Sequence, residues 1–63
     1  MSSQAHILVV EDEEHLAIGI QFNLEAEGFH VTCVGDGHQA LEQLSVSQTP
    51  IDLVVLDLSL IHI

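Results

Sequence analysis

The run His6-Ile-Leu-Val-Val10 constrains this chain more than any other feature. It is short, continuously apolar and rich in β-branched residues, the pattern of a strand buried on both faces. A half-solvated strand would alternate apolar with polar residues, and this one does not. The rest of the chain must therefore supply cover above and below it.

The next segment reads as a helix from Glu13 to about Glu27. Asp12 suits the N-cap, and Glu13 and Glu14 suit the positive end of the helix dipole. Leu16, Ile20 and Leu24 recur every four residues and form the expected core stripe, with Ile18 and Phe22 as a second, partly covered stripe that also belongs to the core. Gly28 stands where a left-handed C-cap belongs. Phe29 to Val34 reads as a second strand, and Gly35-Asp36-Gly37 as a turn into a helix ending near Leu44. Asp36 and Gln39 form a variant capping box, and Ala40, Leu41 and Leu44 the buried face. Pro50 cannot continue a helix, and the third strand runs from Asp52 to Asp57. Asp52 caps that strand or faces solvent.

The order is β-α-β-α-β, which predicts an α/β fold with a three-stranded parallel sheet and right-handed crossovers. There is no internal repeat or linker. At 63 residues the chain is one small domain at most, and chains of about that length bury only about 60% of the surface they expose unfolded. One cysteine, Cys33, cannot form an internal disulfide. It packs as a small hydrophobe and fits a reducing, cytoplasmic setting. The five histidines share no metal-ligand spacing and are expected at the surface or at edges. Ten acidic residues face no lysine or arginine, a formal charge of −10. Counterion-releasing contacts to nucleic acid need basic side chains, so this segment is not expected to bind DNA or RNA. No secretory signal and no bilayer-spanning run is present, and no membrane partner is expected.

In parallel sheets, ligands gather at the carboxyl ends of the strands near the switch in strand order. Glu11 and Asp12 follow the end of the first strand, and Asp57 ends the third. If those strands are neighbours, three carboxylates converge. Such a group must share protons or bind a hard cation. Magnesium takes one or two carboxylates plus phosphate oxygens, and an aspartate beside it can act as nucleophile and form an acyl phosphate.

"ILVVEDE", "NLEAEGFHV", "GDGHQAL" and "IDLVVLDL", in that order and spacing over Ile7 to Leu58, resemble the first half of a response-regulator receiver domain of two-component signalling. The stretch Asn23 to Val31 is most like the subfamily that carries a winged-helix DNA-binding effector. The resemblance implies a partial flavodoxin-like fold with strand order 2-1-3. It implies that Asp57 accepts phosphate from a histidine kinase, without turnover as an enzyme. Mg²⁺ would be held by Glu11, Asp12, Asp57 and the backbone carbonyl of Ser59. In the full-length parent it implies transcription control and a receiver dimer.

Two other classes share parts of this pattern. An aspartate-nucleophile phosphohydrolase commonly has a second aspartate two residues after the nucleophile, where this chain has Ser59. An interaction module on the same fold would dispense with phosphate altogether.

Residues 6–58 are expected to form the partial receiver domain, and 59–63 a tail departing from the family. Ile61 stands where the family has proline, and the family's hydroxyl residue and lysine from later strands have no counterpart. Leu58 to Ile63 can be encoded by CTG-TCT-CTT-ATA-CAC-ATC, which resembles a transposase mosaic end used in sequencing libraries. The expectation is that the reading frame passes into adapter near Leu58. With Val54, Val55 and Leu56 on an open edge, the isolated chain is expected to be marginally folded at best.

Overall fold

The computed structural model describes residues 4–46 and 50–57. Its elements run β1 (His6–Val10), α1 (Glu14–Ala26), β2 (His30–Val34), α2 (Gly37–Val46) and β3 (Leu53–Leu56). The sheet is parallel with order β2-β1-β3, as expected for a partial receiver fold. The tail 59–63 lies outside the described residues.

Alternation along β1 builds two cores. Ile7 and Val9 join Val31 on one face, where Ile20 and Leu24 of α1 pack with Phe29, Cys33 and Val55. Leu8 and Val10 join Ala40 of α2 on the other, with Val34 and Ile51 against them. Every residue of β1 is buried, which is why no polar side chain interrupts Ile7 to Val10.

The start of α1 differs from expectation. Glu13, in place of Asp12, is the N-cap, and its side chain accepts from the His15 backbone N–H at 3.1 Å. At the other end Gly28 adopts φ 97°, the left-handed conformation that its lack of a Cβ permits. Glu27 N–H and Phe29 N–H both donate to Leu24 O, closing the helix. In α2 the expected cap forms in part. Asp36 Oδ1 accepts from Gln39 N–H at 2.8 Å, while the Gln39 side chain reaches back to Gly35 N–H at 2.7 Å, one residue before the usual recipient.

The predicted apolar faces are only half right. Leu16, Ile18 and Phe22 are exposed, as are Leu41 and Leu44, contrary to their assignment to the core. Both helices pack over β1 and β2, and neither packs over β3 among the described residues. Two strands about 4.8 Å apart give a strip narrower than a helix with its side chains, about 10 Å across. One row of α1 and the small Ala40 of α2 fill that strip, and the flanking rows overhang it. Leu16 sits in the first turn, over the rim where β1 has already ended. His6 is a further correction. It is 2% exposed, its ring stacks on His30 at 4.3 Å, and its Nε2 is hydrogen-bonded with Thr32 Oγ1 at 2.8 Å.

Candidate functional site

The register Ile7↔Leu53 through Val10↔Leu56 carries β1 and β3 side by side to the same rim. Asp57 N–H donates to Val10 O at 2.8 Å, and Glu11 N–H donates to Val34 O at 3.0 Å. Backbone bonds on both sides thus fix where these two carboxylates leave the sheet. Asp12 comes next, in the short link to α1. The structure therefore brings Glu11, Asp12 and Asp57 to one edge, as the strand order required. Ser59, the fourth expected contributor, lies outside the described residues.

Their environments differ sharply. Glu11 is 3% exposed, whereas Asp12 and Asp57 face solvent. Glu11 Oε2 accepts from Glu13 N–H at 2.8 Å, but no hydrogen bond reaches the buried Oε1. The Glu13 N–H holds the Glu11 pKa down. Desolvation, the negative charge of Asp57 and the proximity of the Asp12 and Asp57 carboxyls outweigh it, and the net pKa lies above the ordinary 4.5. A bond between two carboxyls exists only while one of them holds a proton. Once ionised, Glu11 is thus a buried anion with one orphan oxygen and two acidic neighbours.

That donor set fits a hard divalent cation, which prefers carboxylate oxygens and would satisfy the orphan. As they stand, no three His, Cys, Asp or Glu side chains among the described residues are grouped to hold a metal ion. Glu11 is turned toward the Glu13 amide.

A cleft of about 340 Å³ opens beside Glu11, between the first turns of α1 and α2, with Ile18, Cys33 and Gln39 among its walls. Cys33 packs against the Ile7, Val9 and Val31 cluster as expected. Burial, and secondarily the charge of Glu25, push its thiol pKa up from 9.0, so it is a poor nucleophile. Asp52 caps the start of β3 as expected, but onto a partner that the sequence did not reveal, the backbone of His6. Asp52 Oδ2 accepts from His6 N–H at 2.8 Å, and its own N–H donates to His6 O at 2.8 Å. An aspartate immediately before an apolar strand was the available signal.

Comparison with known proteins agrees with this fold. A family model described as the response regulator receiver domain matches residues 7–63. Sensory transduction protein RegX3 of Mycolicibacterium smegmatis is 50% identical over 54 residues, which is 86% of this chain and 23% of that protein. The alkaline phosphatase synthesis transcriptional regulatory protein PhoP of Bacillus subtilis is 43% identical over 54 residues, 86% of this chain and 22% of the relative. The phosphate regulon transcriptional regulatory protein PhoB of Rhizobium meliloti is 43% identical over 51 residues, 81% and 22% respectively. The chain thus spans about a quarter of the length of the curated relatives it matches. No solved structure matches it. Among the described residues, no helix is long and apolar enough to cross a membrane.

Proposed function

The chain belongs to the response regulator receiver domain family of two-component systems, and on that footing we propose that Asp57 accepts a phosphoryl group from a histidine kinase. The observation that carries this reading is the meeting of exposed Asp57 with buried, under-satisfied Glu11 at the adjoining ends of β3 and β1. Exposure gives Asp57 access to a donor's phosphoryl group. An Asp57 oxygen forms the bond to phosphorus while the bond to the donor's histidine nitrogen breaks, and the electron pair leaves with the imidazole. Glu11, Asp12 and Asp57 would hold Mg²⁺, with the Ser59 carbonyl as a further ligand. Bound there, the ion offsets the charge of the carboxylates and of the phosphoryl oxygens.

In this reading Asp57 is a stoichiometric acceptor within a signalling protein of the cytoplasm, and the full-length parent is a transcriptional regulator that pairs through its receiver domains. A chain of net charge −10 without lysine or arginine leaves nucleic acid to another part of that parent.

Magnesium titration followed by the backbone amide resonances of Glu11 and Asp57 tests the site. Saturable shifts in the unsubstituted chain, abolished by Asp57→Asn, are expected. Binding that survives the substitution, or no binding at all, favours an interaction module that uses no phosphate. Exposure to acetyl phosphate should in addition produce a hydroxylamine-labile adduct that Asp57→Asn removes.

A further inference from the structure

β3 is four residues long, and its sequence Leu-Val-Val-Leu does little to choose its own register on β1. A slip of two residues returns every side chain to its original face. In one direction it sets Asp57 in the half-buried place of Val55, which resists it; in the other it sets Asp52 in the exposed place of Val54 and Leu53 in that of Val55, which costs little. Either slip would also move Asp57 by about 6.6 Å along the sheet, away from Glu11. Two apolar contacts resist such a slip: Ile51 against the cluster of Leu8, Val10 and Ala40, and Val55 against the cluster of Ile7, Val9 and Val31. Neither contact is directional.

Asp52 is. It stands five residues before Asp57, at the opposite end of β3, and engages both backbone groups of the buried His6. Its N–H donates to His6 O at 2.8 Å, and its Oδ2 accepts from His6 N–H at 2.8 Å. A two-residue slip in one direction puts Pro50 in its place, which has no N–H to give. A slip in the other puts Val54 there, which has no side-chain acceptor, and leaves a buried donor unpaired. Only the observed register closes the clamp.

We infer that Asp52 is a positioning residue whose clamp on His6 sets the register of β3 and so delivers Asp57 to Glu11. The inference deepens the reading of Asp57 as phosphoacceptor and rests on it for its meaning.

Amide hydrogen exchange on the whole chain tests it, because two amides report separately. Asp57 N–H is bonded to Val10 O across the β1–β3 seam, and Glu11 N–H to Val34 O on the β2 side. Asp52→Ala is expected to speed exchange at Asp57 relative to Glu11 by about fivefold or more, and to weaken magnesium binding in parallel. Asp52→Asn keeps an acceptor oxygen and is expected to restore the original ratio. Where Asp52→Ala leaves no protected amide, Asp52→Glu, which displaces the oxygen by one methylene, is read by the same ratio.

Equal acceleration of both amides marks a merely structural role and overturns the inference. So does failure of Asp52→Asn to restore the ratio, or an Asp57 amide already unprotected in the unsubstituted chain. The site reading fails on different evidence, namely magnesium binding that persists in Asp57→Asn.

Discussion

Glu11 is where the chain is least comfortable, and that discomfort has a sign. Its folded pKa lies above 4.5, the ordinary value. Between those two values the folded chain keeps a proton that the unfolded chain has released. Its contribution to stability is therefore complete below 4.5 and is lost as pH rises through the folded pKa, the reverse of the usual acid denaturation. In EDTA at pH 7, Glu11→Gln is expected to raise the urea midpoint, because glutamine still accepts from Glu13 N–H and carries no charge beside Asp57. That gain should shrink as the pH approaches 4.5. Saturating magnesium should reverse the order of the two proteins, since the ion stabilises only the site that retains its carboxylate. A Glu11→Gln midpoint insensitive to both pH and magnesium would separate Glu11 from the acidic site. At Cys33 the raised thiol pKa predicts slower alkylation by iodoacetamide at pH 8 in the folded chain than in urea, because the folded chain carries less thiolate.

At the scale of elements, the strands were the most legible part of the sequence. Ile7 to Val10 could only be a doubly covered strand, and the order β2-β1-β3 came from alternation of element types together with the family resemblance. Gly28 was legible for a local reason, since a helix ending in a left-handed residue needs glycine, and φ 97° agrees. Gly28→Ala is accordingly expected to destabilise the chain by about 1–2 kcal/mol, and Asp36→Ala by about 1 kcal/mol through loss of the α2 cap. Both are measurable as shifts in urea midpoint without a change in slope.

The helix faces were less legible. A period of 3.6 identifies an apolar side but says nothing of how wide a surface lies beneath it, so Ile20 and Leu24 are covered while Leu16, Ile18 and Phe22 are not. In the site, the convergence of Glu11, Asp12 and Asp57 on one edge followed once the family resemblance supplied the strand order. The choice of Glu11 as the buried member did not, because it depends on which carboxylate turns back to cap Glu13. The pairing of Asp52 with His6 escaped for a similar reason: a side-chain-to-backbone clamp between residues 46 apart leaves no periodic trace.

For the whole molecule two opposed terms decide behaviour in solution. Leu53, Val54 and Leu56 are exposed on β3, and Leu41, Leu44, Val46, Ile18 and Phe22 are exposed on the helices. A short, uncharged edge with apolar faces invites pairing with another chain. Against this stands a net charge of −10 without one compensating base, which repels a second copy at long range. Repulsion between exposed charges fades beyond the Debye length, about 10 Å at 0.1 M salt and about 3 Å at 1 M, whereas apolar attraction does not weaken. The chain is therefore expected to sediment as a monomer at low ionic strength and to self-associate as sodium chloride is raised, more steeply at higher protein concentration. Val54→Lys places a charge on the exposed edge and should suppress the association at every salt concentration, whereas Glu27→Gln, which only lowers net charge away from the sheet, should enhance it slightly. If salt disperses the chain, or if Val54→Lys has no effect, the open β3 edge is not what drives the association.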